Sequence, residues 1–156
     1  MNQFESAIAS QTERIYKNAL YSATIQFESA KLYRRRATIA GAVSTVAATA
    51  GGLGLLASPS PAYAILAFAA ALSSFLAITG DPSGKARQAE IIGHEYVRLR
   101  NDARSFADVD LSTVAADIAK SEFAELRHRE NLLNSQIALA PNKARRIAKG
   151  LIEKPE

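Results

Sequence analysis

The side chains that most often carry chemistry are sparse in this chain. His94 and His128 are its only histidines, and neither has a second ligand at metal-binding spacing. Cysteine is absent, which excludes disulfides, thiolate nucleophiles and Cys-based metal sites. Asp108 and Asp110 lie in a polar break, where aspartate is expected to turn or cap the chain. Gly80-Asp81-Pro82-Ser83-Gly84-Lys85 approaches a phosphate loop, but its spacing is one residue short, Ala86 replaces the magnesium-binding hydroxyl, and no strand precedes it. It reads instead as a helix stop followed by an Asp81 N-cap and Pro82 at the first helical position. With no nucleophile–base pairing, no catalytic residue, metal or cofactor is assigned, and an enzyme is not expected.

What the sequence does carry is segregation. All 19 Lys and Arg and all 15 Asp and Glu fall outside one block, residues 37–80, whose sole ionisable side chain is Tyr63. The mean hydropathy near zero therefore averages two unlike materials. The net charge of +4 and the pI of about 9.5 belong entirely to the flanks. Loops retained inside a cell carry extra Lys and Arg, which accounts for such an excess without nucleic acid as a partner.

A bilayer core about 30 Å thick takes about 20 helical residues. Residues 37–57 supply one span, 58–61 (Ser-Pro-Ser-Pro) a helix-breaking extracytoplasmic turn, and 62–80 a second span. Lys31, Arg34, Arg35 and Arg36 precede the first span, Lys85 and Arg87 follow the second, and the turn is uncharged. The positive-inside rule then places 1–36 and 81–156, with both termini, in the cytoplasm. The expected class is an all-α membrane protein, a two-transmembrane helical hairpin with a cytoplasmic helical bundle. A buried hairpin in a soluble bundle would show charge on each helix's outward face, and here no face has any. The Arg34–Arg36 run, apolar stretch and Ala62-Tyr63-Ala64 mimic a signal peptide, but the leading region is too long and a second apolar run follows.

Within the first span Thr38, Gly41, Thr45, Thr49 and Gly52 share one helical face, and in the second Ala67, Ala70, Ser74 and Ala77 form a similar stripe opposite Ile65, Phe68, Leu72, Phe75 and Leu76. Small faces let helices approach closely in lipid, within a hairpin or between subunits. The alternative is a hydroxyl-lined aqueous path, which two spans would form only as several copies. The absence of Asp, Glu, Lys, Arg and His from both spans argues against an ion-coupled transporter. In the flanks, Phe4, Ile8, Ile15, Ala19, Ala23, Phe27 and Ala30 predict a helix that can run on into the first span. Ala86, Ala89, Gly93, Tyr96, Ala103 and Phe106 predict an apolar stripe opposite Arg87, Arg98 and Asp102. Ser112 is expected to cap a helix through Val114, Ile118, Ala119, Phe123, Leu126 and Leu133, and Pro141 to precede a short basic helix over 143–152.

The order of features resembles the SLATT family, the two-transmembrane domain associated with nucleotide-signalling and SLOG-type bacterial conflict systems. The likeness rests on residues 27–35 (FESAKLYRR), 81–87 (DPSGKAR), 93–100 (GHEYVRLR), 126–133 (LRHRENLL) and 140–148 (APNKARRIA). It implies a homo-oligomeric effector in the bacterial inner membrane that responds to a signal made during phage infection, permeabilises the membrane and arrests growth. The partners so implied are the lipid bilayer, further copies of the chain, and a cyclic nucleotide or an upstream sensor protein. For a cyclic nucleotide, Arg98, Arg127, Arg129, Lys143 and Arg145 are the candidate phosphate ligands. The alternative is a non-conducting scaffold anchoring a cytoplasmic partner.

Overall fold

The computed structural model describes residues 3–57, 60–110, 115–136 and 140–153, with side chains described for all of these except 3–5, 55, 76–78, 109 and 110. Ser58 and Pro59 of the predicted turn, Ser112 and Val114, and the side chains of Phe4, Leu76 and Ala77 lie outside the described residues. Among the described residues the fold is all helical, with no strand: α1 (Gln3–Ala57), α2 (Pro61–Gly80), α3 (Pro82–Ser105), a π-helical segment (Phe106–Asp110), α4 (Ala116–Gln136) and α5 (Asn142–Ile152).

Local chemistry explains the boundaries. Residues 3–40 contain neither glycine nor proline, so nothing interrupts α1, which runs 55 residues to just short of Pro59. Pro61 opens α2, where its missing N–H costs nothing, and the Ser60 carbonyl accepts the Tyr63 N–H at 3.1 Å. Between α2 and α3 Asp81 adopts a positive φ of 37°, and its Oδ1 accepts the Gly84 N–H at 2.9 Å. That is the N-cap of α3. A Cβ on Gly84 would run into this carboxylate, so the cap depends on glycine there.

The chain divides into two compact units, Met1–Ser29 with Gln88–Glu156, and Ala30–Arg87. The first is built on large apolar side chains. Ile8, Ile15, Ala19 and Ala23 of α1, Ile92, Tyr96, Leu99 and Ala103 of α3, and Ala119, Leu126 and Leu133 of α4 form one buried cluster. The α1 members recur at steps of seven, four and four residues, as a helix with one buried face requires. Polar bonds pin the helices: the Tyr96 hydroxyl donates to Asn134 Oδ1 at 2.8 Å, and Asn18 Nδ2 donates to Glu130 at 3.2 Å. Phe27 packs edge-on to His94, ring centres 5.2 Å apart, over Gly93. Burial pushes the Tyr96 phenol up to about 12, a hydrogen bond with Ser22 opposing and the Glu130 charge adding.

Two local expectations are corrected. Asp108 and Asp110 do not sit in a turn: α3 continues through them as a π-helical segment, and the Asp108 carboxylate lies 3.5 Å from Arg104 one turn back. Ile118 is exposed, because the face of α4 that packs runs through Ala119, Phe123, Leu126 and Leu133, about 100° away around the helix.

Candidate functional site

The five basic side chains named as phosphate ligands are not gathered into one cradle. Arg98 is exposed on α3 and pairs with Glu95 at 2.7 Å. Arg127 on α4 and Lys143 and Arg145 on α5 are exposed. Arg129 alone of the five lines a cleft of about 270 Å³, where its guanidinium meets Asp102 at 2.6 Å. Glu122 and Glu125 line the same cleft over Phe106 and Leu126. Three carboxylates against one guanidinium make this cleft repel a phosphate and suit a cation. Among the described residues no group of His, Asp and Glu side chains could hold a metal ion.

Unit 30–87 is organised the opposite way from the first unit. The second half of α1 and α2 pack antiparallel: Ser44 and Ser73 share a hydrogen bond at 2.8 Å, Gly51 lies against Ala67, and Gly54 against the ring of Tyr63. A Cβ at Gly51 would come 2.8 Å from the Ala67 backbone nitrogen, and one at Gly54 would enter the Tyr63 ring. These two glycines set how closely the helices approach. The α1 residues that turn inward are Ala37, Ala40, Ser44, Ala47, Gly51 and Gly54, at alternating three- and four-residue steps. They meet Tyr63, Ala67, Ala70, Ser73 and Ser74 of α2, all half-buried or buried.

The stripe singled out in the sequence falls elsewhere on α1. Thr38, Gly41, Thr45, Thr49 and Gly52 are exposed, and a Cβ at Gly41 or Gly52 would meet nothing within 4 Å. This stripe sits one residue, about 100°, around the helix from the α2 contact. Each threonine hydroxyl on it donates to the carbonyl four residues back: Thr38 to Arg34, Thr45 to Gly41, Thr49 to Thr45. Ser74 is half-buried at the edge of the seam. The seam glycines and Ser44 were missed because two small-residue stripes share one helix. Spacing does not separate the two, because the seam steps by 3, 4, 3, 4 and 3 residues and the other stripe by 3, 4, 4 and 3.

The bulk of this unit points outward. Val46 is 69% exposed, Phe68 71% and Leu56 86%, and Ile39, Val43, Leu53, Ile65, Leu72 and Phe75 are also exposed. Over 37–80 no charge interrupts this surface. Among the described residues α1 is the one helix long and apolar enough to cross a membrane, and just 6% of its most apolar stretch is buried. The apolar part of α2, Pro61–Phe75, is shorter. No protein-family model, curated protein or solved structure matches the chain.

Proposed function

We propose that residues 37–80 cross the bacterial inner membrane as a two-helix hairpin, with both termini cytoplasmic. We further propose that the chain is a homo-oligomeric effector of antiphage defence, which disrupts or opens that membrane when an upstream signal acts on its cytoplasmic helices. The observation that carries the placement is the inside-out packing of unit 30–87, with glycine, alanine and serine within and large apolar side chains without. Each such side chain left in water forgoes about 1.5–3 kcal/mol, a cost that a hydrocarbon solvent removes. α2, at 20 residues, rises about 30 Å, enough to match the core of a bilayer. Lys31, Arg34, Arg35, Arg36, Lys85 and Arg87 all stand at the open end of the hairpin, whereas Ser60 and Pro61 at the other end are uncharged. That asymmetry supports the cytoplasmic placement of the flanks.

Oligomerisation is supported by the second small-residue stripe, which α2 leaves uncovered and which has the composition of a helix–helix contact in lipid. The effector role rests on the likeness to SLATT proteins. The acid-rich surroundings of Arg129 favour a protein or cationic trigger over a nucleotide at that cleft. A scaffold that anchors a partner without conducting is the second reading. It is favoured by the threonine hydroxyls, whose protons are committed to their own helix rather than offered to a water path.

Purified chain reconstituted in dye-loaded liposomes separates the two. Release of dye, and loss of membrane potential in infected cells carrying the protein, is the expected outcome for the effector. Membrane retention with no release at any protein density supports the scaffold. Recovery of the chain from the soluble fraction without detergent would remove the bilayer placement itself.

A further inference from the structure

The open end of the hairpin contains a cleft of about 450 Å³ whose lining combines Tyr33, Arg36 and Ala40 of α1, Ser73 and Gly80 of α2, and Lys85 of α3, all within unit 30–87. Its volume lies in the range of small-molecule sites and exceeds what a bare phosphate would fill. Arg36 and Lys85 are exposed, Tyr33 half-buried. Among the described residues neither Arg36 nor Lys85 makes an ion pair. The nearest acid in sequence, Asp81, turns its carboxylate to the Gly84 N–H and is not part of the lining. Two cations thus line one cleft whose lining holds no acid, a charge balance that favours a bound anion.

We propose that this cleft holds the headgroup phosphate of one anionic glycerophospholipid. The inference rests on the bilayer placement proposed above and names the lipid that the hairpin would select. Arg36 presents a planar fork matched to two phosphate oxygens, Lys85 adds a mobile point charge, and the Tyr33 hydroxyl donates at the headgroup level where aromatic hydroxyls concentrate. Ala40 and Ser73 carry the cleft toward the α1–α2 seam, and the neighbouring outward face at Ile39 and Val43 is apolar. A phosphate held at the rim would therefore leave its acyl chains against a surface that accepts them, which a free phosphate could not use. Arg35 and Arg87 carry equal charge on the same two helices, but do not line the cleft.

The test uses the full chain extracted in detergent, washed, and equilibrated with mixed micelles of phosphatidylglycerol and phosphatidylcholine, with retained lipid counted by native mass spectrometry. One phosphatidylglycerol should be retained in preference to phosphatidylcholine. Arg36→Gln with Lys85→Gln should lower its affinity roughly 10- to 30-fold, and Arg35→Gln with Arg87→Gln by less than about threefold. Equal loss in both pairs overturns the site in favour of general surface charge. Displacement of the lipid by inorganic phosphate at equal concentration overturns the lipid as ligand. A chain that stays in the membrane through an alkaline wash yet shows no phosphatidylglycerol preference sinks this proposal and leaves the bilayer placement standing. A chain released by that wash removes both.

Discussion

The two units of this chain solve the packing problem with inverted materials. In Met1–Ser29 with Gln88–Glu156, Ile8, Ile15, Ile92, Tyr96, Leu99 and Phe106 are inside, and most described Lys, Arg, Asp and Glu side chains are at the surface. In Ala30–Arg87, Gly51 and Ala70 are buried while Phe68, Val46 and Leu56 face out. Both are helical and both use stripes at helical spacing, so periodicity alone does not tell them apart. What differs is the kind of residue each stripe holds. Large residues inside mean that removal of apolar area from water drives the packing. Small residues inside mean close backbone approach, which drives association where the surroundings are already apolar.

The strongest way to break this comparison is to place the same charge on the outward face of each unit. Phe68→Arg puts a guanidinium mid-way along α2, which under the proposed bilayer placement costs about 2.5–3.5 kcal/mol. Ile118→Arg makes the equivalent change at a half-exposed site of α4, where surface substitutions fall within about 0.5 kcal/mol. The first variant should lose most of its membrane-fraction yield and the second should match the unaltered chain. Equal yields would mean that water, not lipid, solvates the hairpin.

A smaller effect probes the polar bonds of the first unit's core. Tyr96 is 1% exposed and its phenol sits near pH 12 when folded, against 10.0 for a free tyrosine. A raised folded value means that the neutral form is favoured by the fold. The stabilisation is therefore complete below pH 10 and lost as pH rises from 10 toward 12, by about 3 kcal/mol in all. Denaturant unfolding in detergent, followed by circular dichroism, should show this decline, and Tyr96→Phe should remove it. At neutral pH that variant should cost about 1 kcal/mol for the lost bond to Asn134. A decline that persists in Tyr96→Phe would assign it to another group.

Adjacent glycines sharpen the comparison inside α1 itself. Gly51→Ala drives a methyl to 2.8 Å from the Ala67 backbone nitrogen, so the helices must part, at about 1–3 kcal/mol. Gly52→Ala meets open space and should gain up to about 1 kcal/mol in helix propensity. Thermal unfolding of the detergent-solubilised chain orders the pair. If Gly52→Ala destabilises as well, and lowers the oligomer fraction on cross-linking, its face is covered by another copy.

Much of this architecture was legible because its determinants are local. The break before α2, which starts at Pro61, one residue ahead of the expected span, the Asp81 cap with Pro82 behind it, and the unbroken run of α1 each follow from a few neighbouring residues. From α3 into the π-helical segment, Ala86, Ala89, Gly93, Tyr96, Ala103 and Phe106 are all buried, as a single helical stripe requires. What was not legible depended on partners distant in sequence. Two small stripes share α1, and the one that meets α2 is the one whose Gly51 and Gly54 lie against Ala67 and Tyr63. The gathering of Tyr33, Arg36 and Lys85 is likewise a product of chain return, invisible to spacing. Ile118 failed by one residue, the smallest phase error a helix allows.

The smallest expected effect concerns a polar atom in the apolar unit. Thr12 is 1% exposed, on the same α1 stripe as Ile8 and Ile15, and its buried Oγ1 has no hydrogen-bond partner among the described residues. Other hydroxyls show what it forgoes: Thr24 donates to the Leu20 carbonyl at 2.9 Å and Ser29 to Ile25 at 2.8 Å, both four residues back. A buried hydroxyl with no partner costs about 1–3 kcal/mol, and valine keeps the branched shape without the polar atom. Thr12→Val should therefore stabilise the chain by about 1 kcal/mol, whereas Thr12→Ser keeps the hydroxyl, loses a methyl and should destabilise it. Denaturant midpoints at constant m-value read both. A loss of stability in Thr12→Val would show that the hydroxyl is satisfied by a group outside the single chain. The core of this unit would then be an interface rather than an interior, and the contrast with the hairpin would have to be redrawn as two kinds of contact surface.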